Sequence, residues 1–223
     1  MTALITAIDT SELDQAAALV DQVAPHCAMV KLGLEFFLRQ GAAGYAAAAR
    51  GRDVFLDLKL HDIPNTVAGG VRAVLPLAPK LLTIHAQGGA AMVEAAVKAA
   101  DGRTKIIAVT VLTSLSSEAL AQTGVSGGPA QQVLRLARLA LGAGADGLVC
   151  SPHEISLLRD AFGAKPILVV PGIRPVGAAL GDQSRVMTPQ QAAAAGADYI
   201  VVGRPITGAP DPATAAAEIA ACL

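Results

Sequence analysis

Short apolar runs alternate along the whole chain with Ala-rich stretches whose apolar positions recur at helical spacing. The strand candidates are residues 4–8, 28–32, 54–59, 81–85, 105–112, 147–151, 167–170 and 199–203. Helix signals fill the gaps. Leu13, Ala16, Ala17, Leu19 and Val20 follow Ser11 at helical spacing, and Thr188-Pro189 and Asp211-Pro212 each read as an N-cap followed by proline at the first helical position. Gly163 and Gly196 read as helix stops ahead of the next strand. Eight strand–helix units in 223 residues predict an α/β protein, a (β/α)8 TIM barrel forming a single domain over residues 1–223. A doubly wound open sheet is the alternative that alternation alone leaves open.

The strand ends carry more information than the strand number. Ile8 runs into Asp9, Val30 into Lys31 and Ile84 into His85; the third strand ends with Asp57 and Lys59, the fifth leads to Thr113, the sixth to Ser151 and the eighth to Gly203-Arg204. Polar and charged groups thus gather at the carboxyl ends, where barrels place their active sites. Strands commonly end in polar residues, which accounts for a Ser or a Thr. It does not account for two lysines, two aspartates, a histidine and an arginine at one end.

The richest stretch is residues 53–66. Val54, Phe55, Leu56, Leu58 and Leu60 read as a buried strand, interrupted by Asp57 and Lys59, which on a regular strand share a face. Asp62 follows the strand, and Pro64 starts a helix. Burying such charges is unfavourable unless they are paired, so the stretch reads as a site for chemistry or as a structural ion pair at a barrel rim. Lys31 and Lys59 interleaved with Asp9, Asp57 and Asp62 suggest an array of alternating charge. Carboxylate neighbours favour the ammonium form, which suits a proton donor better than a Schiff-base nucleophile. His85 reads as a metal ligand, a general base or a core histidine, while His26, His61 and His153 lack metal-ligand spacing.

Residues 171–185, after the seventh strand, form a long glycine-rich loop carrying Arg174, Gln183 and Arg185, and Gly203-Arg204-Pro205-Ile206 follows the eighth. Barrels commonly hold phosphate between these two loops, so part of the ligand is expected to be a phosphate ester. Gly177 and Gly181 suit a loop that closes as a lid. The Gly-x-Gly-x-x-Gly run at residues 142–147 precedes a strand rather than following one, so it reads as a helix stop and turn, not a dinucleotide site.

Composition narrows the field. A net charge of -1 and a pI near 6.4 give nucleic acid no electrostatic footing, and aromatic residues at 3% with no Trp argue against a base-stacking surface. No apolar run approaches a membrane span, and the first residues read as a strand rather than a signal peptide. Cys27, Cys150 and Cys222 fit neither a disulfide framework nor a zinc site; the expectation is buried, reduced thiols in a cytoplasmic protein. Residues 114–128 read as a loop, mobile around residues 123–129.

At Asp57-Leu58-Lys59-Leu60-His61-Asp62-Ile63-Pro64-Asn65-Thr66 the sequence resembles the orotidine 5′-phosphate decarboxylase family. The resemblance continues through Ala7-Ile8-Asp9, Val30-Lys31-Leu32-Gly33, Thr83-Ile84-His85, Val111-Leu112-Thr113-Ser114, Pro171-Gly172-Ile173-Arg174, Gly181-Asp182-Gln183 and Val202-Gly203-Arg204-Pro205, in order along nearly the whole chain, and matches the short bacterial single-domain form. It implies conversion of orotidine 5′-monophosphate to UMP and CO2 in pyrimidine biosynthesis, with no cofactor and no metal. Carried over, Asp9 and Lys31 hold the ribose hydroxyls, Asp57 faces the substrate carboxylate and Lys59 protonates C6. Asp62 and Thr66 reach into the neighbouring subunit's site of a homodimer. Thr113 lies near the pyrimidine, and Gln183 and Arg204, with Arg174 and the Gly203 backbone, grip the phosphate. The resemblance leaves two alternatives: a magnesium-dependent sugar-phosphate decarboxylase or aldolase on the same barrel, whose relatives place a glutamate where this chain has Lys31, and a non-catalytic nucleotide-phosphate binder.

Overall fold

The computed structural model describes residues 1–175 and 186–223. The first half runs β1 (Ala3–Ile8), α1 (Leu13–Val23), β2 (Met29–Gly33), α2 (Leu34–Ala49), β3 (Val54–Leu60), α3 (Pro64–Val74), β4 (Leu81–His85), α4 (Ala90–Ala100) and β5 (Lys105–Val109). Then come α5 (Ser117–Gln122), α6 (Pro129–Gly142), β6 (Gly147–Val149), α7 (Ile155–Phe162), β7 (Ile167–Val170), α8 (Pro189–Ala195), β8 (Tyr199–Val202), α9 (Arg204–Thr207) and α10 (Pro212–Ala220). The eight strands close in sequence order, each parallel to its neighbours, with β8 returning to β1. This is the expected (β/α)8 barrel; the open sheet is ruled out by the β1–β8 pairing.

Several boundaries follow from local chemistry. Thr188 accepts from the Gln191 N–H in a capping box, and Asp211 accepts from the N–H groups of Ala213 and Thr214, so α8 and α10 start where the proline signals put them. Gly163 and Gly196 end α7 and α8 at φ 66° and 100°, a region where a side chain is strained. The fifth strand is shorter than expected, stopping at Val109 rather than 112. The Thr110 N–H and hydroxyl both donate to the Val149 carbonyl, at 3.2 and 2.9 Å, and the chain then leaves the sheet. The sixth strand likewise stops at Val149, ahead of a 3-10 turn opened by Pro152. The stretch read as loop over 114–128 contains α5, capped by the Ser116 hydroxyl accepting from the Ala119 N–H at 3.2 Å.

Alternation along the strands divides the core in two. Ile5, Ala7, Met29, Phe55, Leu81, Ile107, Val169 and Val201 fill the barrel interior, whereas Leu4, Ile8, Leu32, Leu56, Leu82 and Ile84 face the helices. The interior plug is apolar and sealed; Phe55 is 2% exposed, and its removal is expected to destabilise the fold by about 3–5 kcal/mol. Among the described residues no helix is long and apolar enough to cross a membrane. All three thiols are free, but only Cys150 is buried; Cys27 is half-buried and Cys222, in the last turn of the chain, is exposed, against expectation.

Candidate active site

A step of two residues along a strand stays on the same face, so the layer above the plug can be read off the plug itself. From Ala7, Met29, Phe55 and Leu81 the step leads to Asp9, Lys31, Asp57 and Thr83. Four of the expected site residues meet there. Lys31 Nζ lies 3.5 Å from Asp9 Oδ1 and 3.6 Å from Asp57 Oδ2, and Lys59 Nζ lies 2.8 Å from the same Asp57 oxygen. Acid and base alternate through Asp9, Lys31, Asp57 and Lys59, which is the array the sequence suggested without its third acid, Asp62.

Lys59 does not join it by simple alternation. Leu56 pairs with Leu82 and Leu60 with Ile84, so between these pairs Asp57, Leu58 and Lys59 stand opposite the single residue Thr83. The excess is absorbed in a bulge where Lys59 takes φ 51°. The regular-strand reading thus gave the right neighbours for the wrong reason: the bulge, not the pleat, turns Lys59 back onto Asp57.

The Asp57 carboxyl is almost fully buried. Burial pushes its pKa up, but the ammonium groups of Lys31 and Lys59 and hydrogen bonds from Lys59 and Thr83 outweigh that, and the net shift is downward. Asp57 is therefore an anion held between two cations. The array borders a cavity of about 200 Å³, lined by Lys31, Asp57, Lys59 and Thr113, floored by Phe55, Val149, Val169 and Val201, and walled by Val109, Val111, Leu112 and Pro171. A second space of similar size opens beside it between Asp9 and Lys31. One charged edge facing an apolar floor suits a flat polar ring carrying an anionic group on one side.

At the other side of the mouth, Arg174 follows β7 and Arg204 follows β8. Arg174 is buried, with Nη1 donating to the Ile173 carbonyl at 2.9 Å; burial first, and then the like charge of Arg204, push its pKa down. Two guanidinium groups that sense each other's charge suit an anion between them. Gly203 sits against Asp9: a Cβ there would come within 2.8 Å of Asp9 Oδ2, so a side chain at this position would push the first acid of the array aside.

Asp62 and Thr66 make no hydrogen bond or ion pair with these groups. Both are exposed, Asp62 Oδ1 accepts the Ile63 N–H at 2.6 Å, and Thr66 sits in the first turn of α3. Gln183, Arg185 and the lid glycines Gly177 and Gly181 lie outside the described residues. His85 packs its ring 5.3 Å from that of His61 with Nδ1 buried and unbonded; burial, then the positive charge of His61 and Lys59, lower its pKa, and Asp57 opposes them. Among the described residues no three His, Cys, Asp or Glu side chains gather as a metal-binding group. Thr83, Val111 and Pro171 stand within the resembling segments but receive no role from sequence, and Val109 is not singled out; the signal for Thr83 is a hydroxyl two residues beyond the plug residue Leu81.

The chain matches the model of the Orotidine 5'-phosphate decarboxylase / HUMPS family over residues 2–219. It is 56% identical over 221 residues to orotidine 5'-phosphate decarboxylase of Anaeromyxobacter sp. (strain K), covering 99% of this chain and 97% of that one. It is 54% identical over 225 residues to the enzyme of the same name from Gluconobacter oxydans, covering 98% and 95%. The crystal structure of orotidine 5'-phosphate decarboxylase from Lactobacillus acidophilus superposes with a TM-score of 0.88 at 37% identity, over 100% of this chain and 99% of that one. The alternating acids and bases at the barrel mouth thus lie in a chain that belongs to the orotidine 5'-phosphate decarboxylase family.

Proposed function

We propose that this chain decarboxylates orotidine 5′-monophosphate to UMP and CO2, with Lys59 as the proton donor to C6. The observation that carries the assignment of roles is the Asp9–Lys31–Asp57–Lys59 array beside an apolar-floored cavity. When the bond to the carboxylate breaks, its electron pair stays on C6. An ammonium fixed beside that carbon stabilises the negative charge without reorganising, and the low-dielectric floor strengthens the effect. Lys59 then gives its proton to C6 and regains one from solvent. Asp57 holds Lys31 and Lys59 in place and faces the departing carboxylate. Asp9 and Lys31 take the ribose hydroxyls, Thr113 borders the base, and Arg174 and Arg204, with the Gly203 backbone and Gln183, take the phosphate. The phosphate lies far from the bond that breaks, so its binding energy serves to align the base and close the site.

The active unit is a homodimer in which Asp62 and Thr66 complete the partner's site. Asp62 makes no ion pair with Lys59 of its own chain, and large apolar side chains stand exposed beside it at Ile63 (66%) and on α2 at Leu34 (48%) and Leu38 (75%), surface that a second copy covers. Three free thiols suit a cytoplasmic setting. No magnesium-dependent step is needed: Lys31 occupies the position where the sugar-phosphate relatives place a glutamate.

The direct test is loss of pyrimidine absorbance on adding orotidine 5′-monophosphate with EDTA present. Full turnover is expected; turnover only on adding magnesium overturns the reading. For the dimer, inactive Lys59→Ala and Asp62→Ala proteins are mixed and allowed to exchange subunits. Each mixed dimer regains one complete site, so about a quarter of native activity is expected to return. No recovery despite proven exchange contradicts a shared site.

A further inference from the structure

We infer that Thr83 is the positioning residue that converts the β3 bulge into a rigid mount for Lys59 and Asp57. This rests on the reading of Lys59 as the proton donor. Thr83 is fully buried and is not among the residues that line the cavity, so it is placed to act through its neighbours. It is the single β4 residue opposite Asp57, Leu58 and Lys59, where the regular ladder between β3 and β4 lapses.

Its hydroxyl fills that gap. The Lys59 N–H donates to Thr83 Oγ1 at 2.8 Å, and Thr83 Oγ1 donates in turn to Asp57 Oδ1 at 2.9 Å. The direction of the second bond is fixed by chemistry, since an ionised carboxylate only accepts. One oxygen atom therefore joins the strained backbone of the acid to the carboxylate of its counter-ion. Lys59 at φ 51° is in a conformation that a non-glycine residue rarely adopts, and it persists only where its surroundings hold it. The bond from its N–H supplies that hold. Binding Oδ1 from below also leaves Oδ2 free to receive both ammonium groups, Lys59 at 2.8 Å and Lys31 at 3.6 Å, on the cavity side.

Two variants separate the hydroxyl from the bulk of the side chain. Thr83→Val keeps the shape and removes both hydrogen bonds. Thr83→Ser keeps both bonds and leaves a methyl-sized void. Thr83→Val is expected to lower kcat by about 10–100-fold, the size of effect that a small misplacement of a catalytic group produces, while KM and the Kd for UMP change less than about threefold. Thr83→Ser is expected to recover most of kcat although its thermal midpoint is lower. A packing role gives the opposite order, with Val at least as active as Ser. Valine within about threefold of native kcat, or serine no better than valine, overturns the inference. If Thr83→Val does not fold, Thr83→Ala replaces it in the same comparison with Thr83→Ser. Lys59→Ala is assayed alongside: ordinary turnover by that variant defeats the role of Lys59 itself, whereas an inactive Lys59→Ala with a normal Thr83→Val defeats only the mount.

Discussion

Both ends of this barrel carry buried or half-buried ion pairs, and they are built differently. At the amino ends of the strands, Arg159 donates to Asp198 at 2.6 Å and to the carbonyls of Gly196, Gly163 and Pro166 at 2.9, 3.1 and 2.9 Å. Asp198 also accepts the Leu168 N–H at 2.7 Å, and nearby Asp146 is satisfied in the same way by Lys105 and the Ile106 N–H, each at 2.9 Å. Both carboxylates at this end are anchored to backbone N–H groups as well as to a cation. The Arg159–Asp198 pair links α7 to the starts of β7 and β8.

At the carboxyl ends the bonding is incomplete. Lys31 reaches Asp9 and Asp57 only at 3.5 and 3.6 Å, long for charge-assisted contacts, and its ammonium keeps spare donors toward the cavity. Lys59 has one short partner and a partly open side. The two clusters differ in what holds their carboxylates: Asp146 and Asp198 each accept a backbone N–H, whereas among the described residues Asp9 and Asp57 meet side chains only. On the proposed reading the first arrangement serves the fold and the second is pre-oriented for substrate.

Exchanging the same residue type at the two ends breaks this comparison most sharply. Asp57→Ala is expected to lower kcat/KM by about 10³-fold or more, since it frees both ammonium groups and removes the group facing the carboxylate. Asp198→Ala is expected to leave kcat near native and to destabilise the fold by about 1–3 kcal/mol, because it strands Arg159 and the Leu168 N–H. Steady-state kinetics and chemical denaturation on both proteins check the pair. A smaller loss, about 10²-fold in kcat/KM, is expected for Arg204→Ala at the phosphate end. Part of it is expected in kcat, and the loss is expected to shrink when the substrate lacks its phosphate, which the nucleoside substrate tests.

The smallest effect concerns His85. Its pKa is lowered in the fold, so the folded protein holds the ring neutral where the unfolded chain takes up a proton. The contribution to stability is present above pH 6.5 and is lost as pH falls through 6.5 toward the lower folded value. Solvent screening keeps it small. Thermal melts between pH 8 and pH 5.5 are expected to show a decline that His85→Gln flattens by roughly 1–2 °C.

Much of this was legible in the chain because the governing rules are local. Period-two and period-3.6 patterns, the Thr188-Pro189 and Asp211-Pro212 caps and the stops at Gly163 and Gly196 depend on near neighbours only. Asp57 and Lys59 stood out because charge inside an apolar strand is rare. What stayed hidden is set by the partner strand. The bulge at Lys59 follows from register against β4, and Thr83 looks like an ordinary strand residue until it is seen opposite that bulge. The early end of β5 depends on the Val149 carbonyl, 39 residues from Thr110 in sequence. The helix α5 had a capping signal in Ser116 that the surrounding glycines and serines masked. The exposure of Cys222 follows from its place in the final turn, where apolar neighbours in sequence do not mean burial.

On the proposed reading, a fixed Lys59 ammonium both stabilises and protonates the carbon that loses CO2. Turnover of orotidine 5′-monophosphate and affinity for UMP, measured together on Lys59→Ala, test it most directly. The account predicts turnover lower by at least about 10⁴-fold with UMP still bound measurably through the arginines and the ribose contacts; turnover within tenfold of native contradicts it.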